Sequence, residues 1–244
     1  LLASSAASDV YKRQPYAFFE KVPLDNGPKV SNVSYGSLFG VESNLEKLKH
    51  GWYTLYGAYA SYNGSHQAYN GNSIYNNGGL LGVDAVFYKG NFFTAWTANA
   101  GANAAEASTY FGNDNFGMFN TGIAQKTGYN FKTLENKLII QPSLLMSYSF
   151  INTFNYTTDA NVHINADPLH AIHIEPQIKL IGNFKKFLQP YICVSFVWNI
   201  IDDTKFQAND VFLPELSVKP YVQYGVGIQK RWGERLTGFF ETMI

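Results

Sequence analysis

Three observations in the sequence predict an all-β fold, an antiparallel transmembrane β-barrel. Apolar and polar residues alternate with a period of two along most of the chain beyond residue 14, as in strands whose two faces meet different environments. The clearest strands have about eleven residues or more, whereas soluble strands usually have ~5–6 and a strand tilted across a bilayer needs ~9–11. Short turns alternate with longer loops rich in Asn and Gly, an arrangement typical of outer-membrane barrels.

The composition agrees with a membrane β protein and excludes several other classes. The 244 residues carry 18 basic and 18 acidic side chains, so the formal net charge is zero and the chain lacks the basic surface of a nucleic-acid-binding protein. Charged residues make up 15% of the chain, against roughly 25% in an ordinary soluble domain, and aromatic residues make up 16%. Apolar residues nowhere form the run of ~20 that a transmembrane helix needs.

Four segments show the alternation most clearly: 137–150, 169–181, 189–200 and 216–228. Within hydrocarbon a sheet must close so that no backbone group is left unpaired, and its strands then turn their apolar face to lipid and their polar face to the lumen. In these four strands the apolar face, which includes Ile140, Ile178, Val194 and Val226, is predicted to face lipid. The predicted lumen-facing residues are His173, Glu175, Gln177, Lys179, Gln189, Tyr191, Lys219, Tyr221, Gln223, Gly225 and Gly227.

Seven weaker strands complete a predicted set of eleven, at 16–22, 33–42, 52–62, 79–88, 92–102, 116–127 and 236–244. Short turns are predicted at 43–51, 88–91, 129–137, 182–188 and 232–235. Longer polar loops are predicted at 63–77, 103–115, 152–168 and 202–214, with a shorter connection at 23–29 in the same class. Aromatic residues near strand ends are expected to form the interfacial belts: Trp52, Tyr88, Phe92, Phe93, Trp198 and Trp232.

Prolines and internal charges constrain the wall of such a barrel. Four outward prolines are each expected within the first residues of a strand or at its rim, where a missing N–H is tolerated: Pro142, Pro176, Pro190 and Pro220. Glu175 and Lys179 lie ~13 Å apart along one strand at ~3.3 Å per residue. Each therefore needs partners on neighbouring strands, and we predict a structural network in the lumen with Lys219 or Glu20.

No motif predicts a catalytic, cofactor-binding or metal-binding centre. Cys193 is the single cysteine, which excludes an intrachain disulfide and a multi-cysteine zinc site, and it is predicted to be a small packing residue. His170 and His173 have a helical metal spacing, but on a strand they point to opposite faces. His66 and His163 are predicted in surface loops, and the sequence around His66 lacks the strand–turn–helix context of a nucleophile elbow.

Two glycines suggest a special part of the wall. Gly225 and Gly227 lie on one face of their strand, and we expect them to admit a bulky neighbour or a threaded segment close to the sheet.

The first fourteen residues, LLASSAASDVYKRQ, do not fit the pattern that follows. Their first half has the small residues of a signal-peptide cleavage site, but it has no initiator Met and no basic region. Their second half resembles the translation of a transposon adapter used in preparing sequencing libraries. We expect this segment, 1–14, to be adapter-derived or a signal-peptide remnant, and the native domain to cover 15–244.

The second half of the chain carries motifs of a known family. These are HIEPQ at 173–177, LQPY at 188–191, VWN at 197–199, KPYVQYGVGIQK at 219–230 and RLTGF at 235–239. In this order they resemble the C-terminal β-domain of bacterial autotransporters, the translocator of type V secretion, and a looser resemblance extends back to residue 15. The resemblance implies a barrel of about 12 strands in the intact domain, with about 11 present here and the last one lacking.

The resemblance also implies a function without catalysis. The barrel would sit in the bacterial cell outer membrane and would anchor and export an N-terminal passenger domain, which is absent from this sequence. The implied partners are outer-membrane lipid, the chain's own passenger, the barrel-assembly machinery and periplasmic chaperones. No cofactor and no nucleic acid are expected. The lumen-facing residues would then act in structure or translocation.

Three other interpretations remain open at this stage. The chain could be a passenger-free barrel of the porin or adhesin kind, which a large secreted domain upstream would exclude. It could be an outer-membrane enzyme on a small barrel, which would need Ser or His residues converging at one rim. It could also be a soluble β-sandwich, which alternates in the same way but explains neither the strand length nor the outward prolines.

Overall fold

The computed structural model describes residues 11–22, 30–69, 71–110, 112–183, 188–201, 206–209, 211–212, 219–232 and 236–243. These residues form strands and one short 3₁₀ turn (Lys49–Gly51). The strands are β1 Tyr11–Val22, β2 Val30–Glu42, β3 Glu46–Lys47, β4 Tyr53–Tyr69, β5 Asn72–Lys89, β6 Phe92–Thr109, β7 Gly112–Tyr129, β8 Phe131–Thr133, β9 Leu138–Thr153, β10 Tyr156–Thr157, β11 His163–Ala166, β12 Leu169–Gly182, β13 Leu188–Ile201, β14 Phe206–Ala208, β15 Val211–Phe212, β16 Tyr221–Trp232 and β17 Leu236–Met243.

The long strands form one curled antiparallel sheet in which neighbours along the chain are neighbours in space. Its order is β1-β2-β4-β5-β6-β7-β9-β12-β13-β16-β17, and the short β3 and β8 pair with β4 and β9. This path contains all eleven strands that the alternation predicts, so the predicted fold class is confirmed. Long hairpins suit the sequence because strands such as β9 and β12 alternate along most of their length and are flanked by turn residues.

Two predicted loops are wrong, because 63–77 and 103–115 continue the strands. The β4–β5 ladder runs to Tyr69 and Asn72, and the β6–β7 ladder runs to Thr109 and Gly112. Asn-rich segments lack the alternation of a half-buried strand, but their backbone groups pair equally well where water surrounds both faces. The tight β4–β5 connection includes Gly71, whose φ of +79° favours glycine.

The other two predicted loops contain short strands that build a second sheet. Strands β10 and β11 lie within 152–168, β14 and β15 lie within 202–214, and they pair in the order β10-β11-β14-β15. Ile164 pairs with Ala208, so connections that are far apart in sequence meet here. Alternation did not indicate this sheet because its strands have only two to four residues.

Strand boundaries differ from the prediction at both ends of the chain. β1 begins at Tyr11, so the last four residues of the segment 1–14 pair with β2, as Tyr11 does with Val41. Residues 1–10 lie outside the described ranges, and the origin of the segment stays a prediction. The strand expected from residue 216 begins at Tyr221, and residues 213–218 are also outside the described ranges.

Pro176 lies in the middle of β12, not near a strand end as expected. The ladder to β9 runs through it, since Pro176 pairs with Leu144. The ladder to β13 instead passes from the Ile174–Trp198 pair to the Gln177–Ser195 pair. Because proline has no N–H, the sheet tolerates it where one ladder is interrupted.

Across the described ranges, no helix is long and apolar enough to cross a membrane.

Candidate functional site

The two faces of the sheet differ in exposure. On β12 and β13, Gln177, Tyr191 and Ser195 are 7%, 8% and 2% exposed, whereas Ile178 and Ile192 are 56% and 53% exposed. Cross-strand pairing extends each face over the sheet, because directly paired residues point to the same side. We call the side of Gln177, Tyr191 and Ser195 the covered face, and the side of Ile178 and Ile192 the exposed face.

The register gathers almost all residues predicted to face the lumen on the covered face. Gln177 pairs with Ser195, which pairs with Gln223, and Lys179 pairs with Cys193, which pairs with Gly225. The remaining members keep the same parity on their strands: His173, Glu175, Gln189, Tyr191, Tyr221 and Gly227. Lys219 is the exception, because it precedes β16 and is exposed.

A polar network connects β7, β12 and β13 on the covered face. The Lys126 ammonium donates to Gln177 Oε1 at 3.0 Å. His173 Nδ1 lies 3.0 Å from Asn199 Oδ1, and its Nε2 lies 3.6 Å from Glu175 Oε2. Glu175 and Lys126 both pair with Leu145, so the acid and the lysine lie in one row two strands apart.

This network differs from the one predicted with Lys219, which lies outside the strands. The predicted contribution of Glu20 stays a prediction, because its side chain is outside the described part of the structure. Lys126 supplies the positive charge instead. It was missed because its neighbours on the opposite face of β7, Gln125 and Thr127, are also polar, so no alternation of apolar and polar residues marks the face of Lys126.

Lys179 and Tyr191 meet over a glycine. The Lys179 Nζ lies 4.1 Å from the centroid of the Tyr191 ring, a cation–π distance. The Tyr191 ring occupies the space that a Cβ of Gly227 would take. The bulky neighbour expected beside this glycine is therefore Tyr191. Cys193, which is 3% exposed, forms the next pair on the same face, with Gly225.

The same arrangement recurs twice more on the covered face, in strands nearer the start of the sheet. The Tyr59 ring lies over Gly82, and its hydroxyl is 2.8 Å from Thr97 Oγ1. The Phe93 ring lies over Gly128. In each case the aromatic residue and the glycine are a direct cross-strand pair. The sequence did not indicate these pairs, because the register makes each of them. Phe93, which was expected in an interfacial belt, is 6% exposed and lies on the covered face instead.

Acidic groups lie on the covered face near the start of the sheet. Glu42 and Asp84 both pair with Gly57, and an Asp84 carboxylate oxygen lies where a Cβ of Gly57 would be. The covered face thus carries carboxylates around β2 and β5 and lysines on β7 and β12.

The histidines give no metal centre in the described chain. His170 and His173 lie on opposite faces, as predicted, and His170 bonds the Tyr148 hydroxyl at 2.8 Å. His66 and His163 lie in strands rather than the predicted loops: His66 stacks on Tyr75 at 4.2 Å, and His163 contacts Thr157. Across the described ranges, no three His, Cys, Asp or Glu residues are grouped to hold a metal ion.

Three solved structures with a similar fold are autotransporter domains. The β-domain of the Bordetella autotransporter BrkA has a TM-score of 0.74 and 13% identity, and the alignment covers 97% of this chain and 93% of that one. The transport unit of AIDA-I from Escherichia coli has a TM-score of 0.69 and 12% identity, with 98% and 85% covered. The translocator domain of NalP from Neisseria meningitidis has a TM-score of 0.64 and 11% identity, with 96% and 80% covered.

Among curated proteins, none matches the chain. The autotransporter β-domain family, by contrast, matches residues 16–242, from β1 to β17. Because this match spans nearly every strand of an antiparallel sheet in which neighbours follow chain order, the chain belongs to the autotransporter β-domain family.

Proposed function

We propose that the covered face lines the lumen of an outer-membrane barrel and guides an unfolded passenger to the cell surface. Autotransporter β-domains are barrels of the outer membrane of Gram-negative bacteria, and this chain is one of them. The mechanism depends on the shape of the barrel. Its wall separates the lumen from lipid because the backbone groups of the strands are paired with one another within the sheet. Its polar inner surface offers a passing chain water and hydrogen-bond partners.

The partition of charge between the faces carries this proposal. Asp84, Lys126, Glu175 and Lys179 all lie on the covered face, as their register shows. The exposed face of the same strands presents apolar side chains such as Val83, Ile123 and Ile178. A charge on the lipid side near the bilayer midplane costs ~2–4 kcal/mol, so this distribution suits lipid on one side and water on the other.

The two ends of the sheet differ in a way that sets its orientation. The turn end contains the short connections with Lys49–Gly51, Gly90 and Leu134. The loop end contains the tips near Gly71 and Tyr110 and the second sheet. Strands β5, β6 and β7 have 18 residues each, against the ~9–11 that a bilayer requires, and their Asn-rich surplus lies at the loop end. We place the turn end in the periplasm and the loop end outside the cell.

The partners follow from the same faces. A passenger and the lipid bilayer are the partners that membership of the family implies. We further propose that periplasmic chaperones and the barrel-assembly machinery handle the chain before insertion. The exposed apolar face and unpaired strand edges would otherwise aggregate in water, which supports this step. The proposed function requires no catalytic group and no cofactor.

Site-specific crosslinking tests the proposal. The chain is fused behind a signal peptide and an epitope-tagged reporter whose disulfide-closed loop stalls it during export. A photo-crosslinking residue at Gln223, on the covered face, should trap the stalled reporter. The matched control is the adjacent Val222, which is 47% exposed on the other face and should trap lipid only.

Two outcomes would overturn parts of the proposal. Equal crosslinking at both positions would mean that the covered face is not the translocation path. A chain that enters the outer membrane while the reporter stays inside would favour the passenger-free barrel of the porin or adhesin kind.

A further inference from the structure

Lysines surround the turn end of the sheet. We call Lys47, Lys49, Lys89, Lys132 and Lys137 the basic rim, and all five are exposed. They extend from β3 to the start of β9, across strands that are ~4.8 Å apart. The exposed acids among them are Glu46 and Glu135, so five positive charges face two negative ones. The pair between Lys137 and Glu135 is long, at 3.7 Å, and exposed.

Apolar side chains are interleaved with these lysines. Leu45 and Leu48 are 39% and 38% exposed, and Phe131 and Leu134 are 53% and 66% exposed. These residues belong to turns and the short β8, beyond the long strands. Exposed leucines beside lysines are costly in water but suit the boundary between headgroups and acyl chains, where the leucines enter hydrocarbon and the ammonium groups remain outside.

Aromatic rings lie at the same level. Trp52 contacts Phe92 edge-on at 6.0 Å, and the Lys89 Nζ lies 5.6 Å from the Trp52 ring centroid. Tyr129 and Phe131 are 4.6 Å apart. Tryptophan and tyrosine concentrate at the headgroup level of bilayers, so these rings place the basic rim at that level.

The loop end has the opposite charge. Its exposed ionisable residues in the described chain include Glu106, Asp159 and Asp167 against Lys219. The whole chain has a formal net charge of zero, yet among the described residues the exposed lysines outnumber the exposed acids at the turn end, and the exposed acids outnumber the exposed lysine at the loop end. The basic rim is therefore a local positively charged surface, which complements an anionic partner.

We propose that the basic rim binds the headgroups of anionic phospholipids in the periplasmic leaflet, with phosphatidylglycerol as the representative ligand. The rim lysines supply charge complementary to the phosphates, and the interleaved leucines and rings anchor the turns at the acyl boundary. Each lysine near an anionic surface contributes ~1 kcal/mol, which corresponds to about a fivefold preference. The inference rests on the proposed function only for placing the turn end at the phospholipid leaflet.

Lipid competition tests the inference. The chain, folded in neutral detergent micelles, is mixed with equal amounts of phosphatidylglycerol and phosphatidylcholine, and native mass spectrometry counts the lipids that stay bound. We expect about fivefold more bound phosphatidylglycerol than phosphatidylcholine. Replacing all five rim lysines by Gln should reduce the ratio to about one. The matched control, Lys219→Gln, removes an exposed lysine at the loop end and should leave the ratio unchanged.

Further arms make the test decisive. Lys49→Gln and Lys89→Gln, made singly, should each lower the ratio even if the five-lysine variant does not fold. A salt concentration of about 1 M, where the Debye length is ~3 Å, should reduce the wild-type preference. A wild-type ratio near one, or an equal loss in Lys219→Gln, would overturn the inference. Passenger export is not measured here, so a failure of the proposed function would show only in the crosslinking experiment.

Discussion

Tyr191, Tyr59 and Phe93 each cover a glycine on the neighbouring strand. The glycines are Gly227, Gly82 and Gly128, and a side chain at any of them would meet the ring. Glycine weakens a strand because it has nothing to pack, and a ring laid over it restores that packing across the ladder. The covered face therefore stays smooth at these points, since the large side chains lie along the sheet rather than projecting away from it.

The pair of Tyr191 and Gly227 gives a prediction at this scale. Gly227→Ala should lower the free energy of unfolding by about 1–3 kcal/mol, because the new methyl group displaces the ring. In the background of Tyr191→Ala the same change should cost much less, so the two effects are not additive. Urea unfolding of the four variants in vesicles measures the coupling, and additive effects would contradict the contact.

Lys126 gives a second prediction for a single residue. Lys126→Ala leaves the buried Gln177 amide without its 3.0 Å donor and removes the positive charge in the row of Glu175. Leaving a buried polar group unsatisfied costs about 1–3 kcal/mol, so the free energy of unfolding should fall by about that amount. A lower midpoint of urea unfolding in zwitterionic vesicles would show this loss. Lys132→Ala, at an exposed turn, is the matched control and should stay within about 0.5 kcal/mol of wild type. An equal loss in both variants would show that the network adds no stability.

Among the strands, β12 is unusual because a proline interrupts one of its two ladders. Pro176 pairs with Leu144 of β9, whereas the pairing to β13 resumes only at Gln177. The missing N–H therefore faces β13.

Hydrogen exchange tests this assignment. Pro176→Ala should introduce an amide at position 176 that donates to β13 and exchanges slowly, because it joins an existing ladder. Pro220→Ala is the control, because Pro220 precedes β16 and its new amide should exchange rapidly. Fast exchange at position 176 would mean that the β12–β13 gap has another cause.

The surplus length of β4 and β5 leads to a prediction for a whole hairpin. Replacing residues 66–75 by Asn-Gly removes the outer pairs, including the stack of His66 on Tyr75. Strand segments longer than the required ~9–11 residues remain. The shortened chain should reach the outer membrane in the same amount as wild type, measured by immunoblotting of membrane fractions. As a control, the paired segments 53–57 and 84–88, which together have the same length, are removed from the half of the hairpin placed in the membrane. This change should abolish insertion. Normal insertion of that variant would contradict the placement of the outer half of the hairpin outside the membrane.

At the scale of the whole molecule, charge and length support the proposed orientation. The basic rim and the short turns lie at one end, and the exposed Glu106, Asp159 and Asp167, the surplus hairpins and the second sheet lie at the other. The second sheet is attached to the first at β7, since Tyr156 stacks on Phe116 at 4.8 Å and the Asp159 N–H donates to Asp114 Oδ1 at 2.8 Å. Burial, with the nearby Asp114 carboxylate, raises the pKa of Tyr156, so its phenol stays neutral at physiological pH.

Labelling of intact cells checks this orientation. In a Cys193→Ala background, a cysteine replacing Tyr110, which is 93% exposed at the β6–β7 tip, should react with a membrane-impermeant maleimide. A cysteine replacing Lys49 at the turn end should react only after the outer membrane is permeabilised. Labelling of both in intact cells, or the reverse order, would contradict the proposed orientation.

Where alternation was clear, the sequence predicted the strands of this protein correctly and indicated which of their residues share a face. The run from Ile172 to Leu180 shows its two faces in nine residues, because a strand has a period of two and each face meets a different solvent. That local signal suffices for the number of strands and for the family motifs in β12, β13 and β16. It fails at the Asn-rich tips, where water surrounds both faces and no alternation is required.

The tertiary structure decided which of these residues meet. Lys126 and Gln177 are 51 residues apart, and Tyr191 and Gly227 lie on different strands, so each contact depends on the register of hairpins that no local pattern specifies. The same holds for the second sheet, whose short strands pair across distant connections. Alternation follows from the solvent on each side of a single strand, whereas register and loop pairing follow from backbone hydrogen bonds between strands, which form only once the whole sheet is assembled.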